Sequence, residues 1–542
     1  MKFNYLLTAI SAVAIFAGCN QAQQQAAVEL GTPNPIIWAD VPDMSMMRVG
    51  DTYYMSSTTM HMNPGVPIMK SKDLSNWEIV NYAYDILGEK DETMLLNGKN
   101  TYGKGSWASC IRYVNGKYFV STFDQVTAKT YFFTTDNIEG GKWERHEFEP
   151  SLHDHSVVFE DDGKVYMVNG NGKIFIREIK PDFSGVVPES EKVLIENAGL
   201  PAGEDLMLGA EGSQMFKING KYYLINITWP RGGVRTVVCH RADNLFGPYE
   251  GKMVFQDKGV AQGGLIDTPE GKWYAYLFGD RGAVGRIPFI VPVEWQDGWP
   301  VFGVDGKVPD TLDLPKSKGL IPGIVDSDDF DGDKPKLVWQ WNHNPVNSLW
   351  SMTERKGFLR LKTDRTDTLF TQSRNMLSQR TFGPKCTGSI SLDAANLNDG
   401  DIAGLALLAG KFGFVGVKNE GGKKFVVMAD NMPEGESTGW PPKRGVQHEV
   451  ESVPVDADVI YFKADCDFTR EADDSQIGTH GRDTAEFYYS LDGTNWNHIG
   501  HTLKMSYSLD HFMGQRYALF YYSTKQAGGS ADFDWYKTAY LQ

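Results

Sequence analysis

The 542-residue chain is longer than one hydrophobic core ordinarily serves, so two or three domains are expected. With 41% hydrophobic and 23% charged residues it reads as a soluble globular protein, and its 57 glycines beside 12% aromatics favour an all-β chain with many turns. The net charge of −16 argues against nucleic acid as a partner, whose phosphates it would repel, and disfavours a polyanionic substrate.

Residues 1–19 read as a targeting segment. Lys2 supplies a basic start, residues 6–16 form a short apolar run, and Ala17-Gly18-Cys19 resembles a bacterial lipobox. The apolar run is too short to span a bilayer as a mature helix, so membrane contact is expected only through a lipid on Cys19. Residues 20–32 are a polar tether of low complexity. The expected location is the bacterial cell envelope, lipid-anchored and facing the periplasm or the exterior. The other cysteines, Cys110, Cys239, Cys386 and Cys466, form no CxxC pair and signal neither a zinc site nor a disulfide framework.

Five similar segments follow. Met46-Met-Arg-Val-Gly-Asp-Thr-Tyr-Tyr, Ile111-Arg-Tyr-Val-Asn-Gly-Lys-Tyr-Phe and Val158-Phe-Glu-Asp-Asp-Gly-Lys-Val-Tyr are the first three. Met215-Phe-Lys-Ile-Asn-Gly-Lys-Tyr-Tyr and Ile266-Asp-Thr-Pro-Glu-Gly-Lys-Trp-Tyr complete the set. Each is an apolar strand, a tight turn closed by glycine and an aromatic-rich strand, which is a hairpin signal. The turn glycines, Gly50, Gly116, Gly163, Gly220 and Gly271, are 66, 47, 57 and 51 residues apart, a period that suits four-stranded propeller blades. A five-bladed β-propeller over 33–300 is the expectation.

The first strand of a blade lines the propeller axis. Seven to nine positions before each turn glycine stand Asp43, Trp107, Asp154, Glu211 and Gln262, three of them carboxylates. Acids crowded in a partly desolvated funnel raise one another's pKa, so that one can stay protonated near neutral pH.

With these residues in view, the sequence resembles glycoside hydrolase family 43. Asn34-Pro-Ile-Ile, Pro42-Asp43-Met-Ser and Ser71-Lys-Asp-Leu-Ser-Asn-Trp77 are similar to that family's opening blade. Asp154-His-Ser-Val-Val-Phe, Glu211-Gly-Ser-Gln and Gly279-Asp-Arg-Gly-Ala-Val-Gly-Arg286 continue the likeness. The resemblance implies that Asp43 is a general base activating water, Glu211 a general acid, and Asp154 a modulator of Glu211. It implies inversion at the anomeric carbon, with base and acid roughly 6.5–9.5 Å apart. Trp107 would stack on a sugar, Arg286 would donate to substrate hydroxyls, and His61 would line the entrance. The fifth blade departs from many relatives, because Gly259-Val-Ala261-Gln262 carries no histidine; Gln262 is expected to hold a water, and no cofactor is required for catalysis.

Residues 301–325 read as a Pro/Gly-punctuated linker, and 326–542 as alternating strands. Trp339-Gln-Trp-Asn-His-Asn-Pro, Asp399-Gly-Asp-Ile-Ala-Gly-Leu and Ala531-Asp-Phe-Asp-Trp535 resemble the concanavalin-like, jelly-roll β-sandwich attached to β-xylosidases and α-L-arabinofuranosidases of the family. Asp329 and Asp534 are candidate ligands for a structural calcium there. The resemblance also implies that this domain lends a loop to the funnel, with Phe512 a candidate for it, favouring release of terminal pentoses from plant polysaccharide or oligosaccharide. An exo-hydrolase for another sugar such as galactose, or a non-catalytic glycan-binding lipoprotein, are the alternatives.

Overall fold

The computed structural model describes residues 28–433, 445–469 and 483–542. Cys19 lies outside the described residues. Among those residues the regular structure is all strand, apart from four single-turn 3₁₀ segments.

Five antiparallel four-stranded sheets form a propeller. Their first strands are Ser45–Val49, Cys110–Val114, Ser156–Phe159, Leu206–Ile218 and Ala261–Asp267. Each of these touches the first strand of the next blade, and the fifth touches the first, so together they ring the axis. The hairpin turns have a backbone cause. Asn115-Gly116 and Asn219-Gly220 both place two successive residues at positive φ (50° and 83°, 49° and 78°), the geometry of a type I′ turn, which Asn and Gly tolerate best. The ring closes by backbone bonds between the chain entering the first blade and the fifth blade, Ile36 N to Pro288 O at 3.0 Å and Val41 N to Arg286 O at 2.9 Å. The segment read as a linker is partly ordered into the propeller's rim, since Thr311–Pro315 pairs with Leu30–Pro33.

The second domain is a sandwich of an eight-stranded and a seven-stranded sheet. It is not a loosely tethered neighbour. Met62–Asn63 leaves the first propeller blade and forms the edge strand of the eight-stranded sheet, beside Gln340–Asn342. One buried apolar cluster runs from Ile37, Ala39 and Val41 through Phe382 to Ile390 and Leu405. Buried Asp40 ties the two domains: Oδ1 accepts from Arg286 N at 2.8 Å, Oδ2 from Gly514 N at 3.0 Å, and its carbonyl from Arg380 Nε at 2.8 Å. Gly514 is required by close approach, because a Cβ there would lie 2.3 Å from the Val284 carbonyl oxygen.

The four cysteines within the described residues are free thiols in the interior.

Candidate active site

The funnel side chains are aimed by irregular backbone at the inner strands. Asp43 and Asp154 stand just before their strands with φ of 51° and 48°, and Gln262 sits at φ 56° beside a register shift. Glu211 lies between two register shifts of its long strand, opposite Ile227. Such bulges turn a side chain out of the ladder, and they collect next to active sites. Gly212 follows Glu211 at φ 63°, and a Cβ on it would meet Gln262 within 3.0 Å. Asp43, Asp154, Gln214 and Gln262 line a small cavity of about 10 Å³ between the inner strands.

Each acid has a different surrounding. Asp43 is 5% exposed, and Arg286 Nη1 donates to its Oδ1 at 3.0 Å. Burial raises its carboxyl above the usual range, Arg286 opposes that, and Asp40, Glu211 and Asp280 add to it. Asp154 is pushed up to about 7, chiefly by burial and further by Glu211 and Asp43, with His153 and Arg286 opposing. Glu211 is the most open of the three, its side chain 18% exposed. Its Oε2 accepts from Asn171 Nδ2 at 2.7 Å and from His153 Nε2 at 3.2 Å. Its backbone carbonyl accepts from Asn226 Nδ2 at 3.1 Å.

Arg286 is itself clamped. Its Nε donates to Asp280 Oδ1 at 3.2 Å, and the other oxygen of Asp280 pairs with Arg235 at 2.6 Å. The guanidinium lies 4.4 Å over the ring of Phe512, which also packs against Trp107 at 4.8 Å between ring centroids. Phe512 and the buried Tyr507, its ring 6.2 Å away, come from one loop of the sandwich, so that domain supplies part of the funnel wall.

His61 does not line the entrance. Its loop is covered by the sandwich, its exposure is 3%, and its ring packs 4.8 Å from both Tyr102 and His343 and 5.2 Å from His511. Reading the sequence also passed over His153, Asn171, Asp280, Arg235 and Tyr507. His153 was the most accessible to sequence reasoning, being the immediate neighbour of Asp154. The others depend on how separate blades and the sandwich loop converge.

A funnel of acids held by a buried arginine and roofed by aromatic rings belongs to the class of carboxylate-based glycosidases. The sequence profile of Glycosyl hydrolases family 43 matches residues 32–300, and that of the Beta xylosidase C-terminal Concanavalin A-like domain matches residues 327–539. The chain belongs to glycoside hydrolase family 43. It is similar to a beta-xylosidase of Formosa agariphila, at 29% identity over 94% of this chain and 90% of that protein. A non-reducing end alpha-L-arabinofuranosidase of Bacteroides ovatus is 29% identical over 69% of this chain and 73% of its own. Among solved structures, a protein of Bacteroides eggerthii described as a bifunctional GH43-CE is 59% identical with a TM-score of 0.90, covering 95% of this chain. The present chain spans 64% of that protein's length.

Proposed function

We propose that this chain releases terminal or side-chain pentose, β-D-xylose or α-L-arabinofuranose, from plant hemicellulose and its oligosaccharides, with inversion. The observation that carries the reading is the contrast between two acids on one axis: Asp43 held against a guanidinium, and Glu211 more open and facing His153 and Asn171. The substrate names come from similar proteins, a beta-xylosidase and an alpha-L-arabinofuranosidase.

In this mechanism Asp43 is the general base. Arg286 favours its ionised form against the burial that raises it, and the ionised carboxylate can take a proton from water attacking the anomeric carbon. Glu211 is the general acid that protonates the leaving oxygen as the glycosidic bond breaks. Asp154, buried nearby, adds a negative charge beside Glu211 when ionised. Trp107 and Phe512 offer apolar ring faces to the sugar, and Gln262 offers an amide to ordered water at the axis. The chemistry needs no cofactor.

Two accessory features complete the proposal. Asp329 and Asp534, close to the backbone pairing of Asp328 with Tyr536 at 2.8 Å in both directions, would hold a structural calcium. These carboxylates supply two of the six to eight oxygens that calcium takes. A chelator-induced fall in Tm, restored by calcium, tests it. A lipid on Cys19 anchors the enzyme to the cell envelope, and a Cys19→Ala variant that is released into the soluble fraction tests that.

The deciding experiment is turnover of 4-nitrophenyl β-D-xylopyranoside and 4-nitrophenyl α-L-arabinofuranoside by the wild type and by Asp43→Asn. Turnover of either, lost in the variant, supports the reading and names the pentose. Full activity of Asp43→Asn overturns the mechanism.

A further inference from the structure

Two histidines flank Asp154 and are built for different work. His155 is a structural residue: it is 1% exposed, Nδ1 faces Leu152 O at 2.8 Å, and Nε2 faces Ser121 Oγ at 2.8 Å. Burial pushes it down to about 4, so it is neutral. His153 differs in every respect. Its side chain is 38% exposed, against 18% for Glu211 and 7% for Asp154. Its Nε2 lies 3.2 Å from Glu211 Oε2 and 3.6 Å from Asp154 Oδ2. Trp107 and Phe123 hold the ring from the second blade, with centroids 6.4 and 5.3 Å away. Among the three groups gathered at this point, His153 has the widest access to water.

An inverting glycosidase ends each turnover with its protons in the wrong places. The acid has given its proton to the leaving group, and the base has gained one from water. Glu211 must be reprotonated before the next bond is broken. We propose that His153 is the proton-relay residue of this site, passing the proton on Nε2 to Oε2 of Glu211 once per turnover and recovering one from solvent. The inference rests on the reading of Glu211 as the general acid.

The step balances. Glu211 gives its proton to the glycosidic oxygen, and the electrons of the C1–O bond leave with that oxygen. Water forms the new C1–O bond and leaves a proton on Asp43. The Nε2 proton of the imidazolium then moves to Glu211 Oε2, and the imidazole left behind, protonated on Nδ1, takes a proton at Nε2 from solvent. Asp43 returns its own proton to solvent, so the net reaction is hydrolysis.

The groups facing His153 support this role. Burial disfavours its charge, but its hydrogen bond to Glu211 and the charges of Asp154, Glu211 and Asp43 prevail, pushing it up to about 9. Arg286, a buried cation of the funnel, is committed to Asp43 and Asp280. Asn171 donates to the same oxygen of Glu211 and fixes the carboxylate for transfer, but it carries no labile charge. A proton is therefore stored beside Glu211 through the neutral range.

The test uses the full chain, with methyl and 4-nitrophenyl glycosides of the pentose that it hydrolyses. His153→Gln keeps a donor to Glu211 but cannot carry the proton. Its kcat should fall about ten- to hundredfold on the methyl glycoside, less on the nitrophenyl glycoside, with KM within about twofold. The alkaline limb of its kcat profile should move to lower pH by about one unit or more. His153→Ala should regain turnover in proportion to added imidazole. An unchanged alkaline limb and kcat in a folded His153→Gln, or no rescue of His153→Ala, overturns the relay. Glu211→Gln run in parallel separates the two ideas. If it retains full turnover of the methyl glycoside, the acid assignment itself has failed; if it is inactive while His153→Gln is unaltered, only the relay has failed.

Discussion

Arg286 donates from Nη1 to Asp43 across 3.0 Å while Asp280 holds its Nε, and all three side chains are at most 6% exposed. The cation thus opposes the desolvation that raises the Asp43 carboxyl. Removing it in Arg286→Ala raises Asp43 further, so the base is ionised only at higher pH. The acid limb of kcat/KM should move up, and activity at neutral pH should fall about 100-fold or more. Breaking a buried pair of this kind costs about 3–5 kcal/mol of stability. That deficit should shrink as pH falls and the abandoned Asp43 carboxylate protonates. Parallel pH–rate and thermal-melt series check both.

Phe512 is the sandwich's contribution to the funnel, seated between Trp107 and the Arg286 guanidinium. In Phe512→Ala the aromatic pair and the cation–π contact are lost, together about 1–3 kcal/mol. A rise in KM of about tenfold for the terminal-pentose substrate, with a smaller effect on kcat, is the expected result. Product analysis on longer oligosaccharides should also show cleavage away from the chain end, because the wall that stops the chain has been removed.

Gly514→Ala tests the domain junction without removing a funnel side chain. The added methyl would lie 2.3 Å from Val284 O and 3.0 Å from Asp40 Cβ, both in the propeller. Overpacking of this kind costs about 1–3 kcal/mol. A lowered Tm is expected, with a rise in KM as Phe512, two residues away, shifts with the loop.

His61 gives a pH dependence of stability. Burial lowers it from 6.5 to about 3, with Arg516 adding to that, and neither ring nitrogen makes a hydrogen bond of good geometry. A depressed histidine stabilises the fold fully above its unfolded value near 6.5, and that contribution is lost as pH falls towards 3. At pH 5 the loss is about 2 kcal/mol, since each unit is worth about 1.4 kcal/mol. His61→Phe should flatten the fall in Tm between pH 7 and 5; an equally steep fall would show that the histidine is not its source.

The propeller was legible because its signal is local and repeated. Asn115-Gly116 and Asn219-Gly220 announce hairpins by backbone preference alone, and aromatic strands after each turn give the period. Counting back from the turns reached Asp43, Asp154, Glu211 and Gln262 because each blade opens with the strand nearest the axis. The clamp around Arg286 was not legible in the same way. Asp280, Arg235 and Tyr507 are brought there by the packing of two blades and a loop more than 200 residues later in the chain. His61 misled for the same reason: its loop looks exposed until the second domain covers it.

The left-handed backbone at Asp43 and Asp154 bears on which acids can be used where. Aspartate and asparagine tolerate positive φ better than longer side chains do, because their short polar group bonds locally. Positions 43 and 154 therefore accept an aspartate at little conformational cost, and a glutamate at either would meet a backbone it resists. At the third position the turn has been handed to Gly212, which leaves its neighbour free of that restriction. The longer reach of Glu211 becomes available there, at the one acid that must extend to a departing oxygen. Placing glutamate at position 43 or 154 should thus carry a backbone cost of about 1 kcal/mol in addition to any effect on proton transfer.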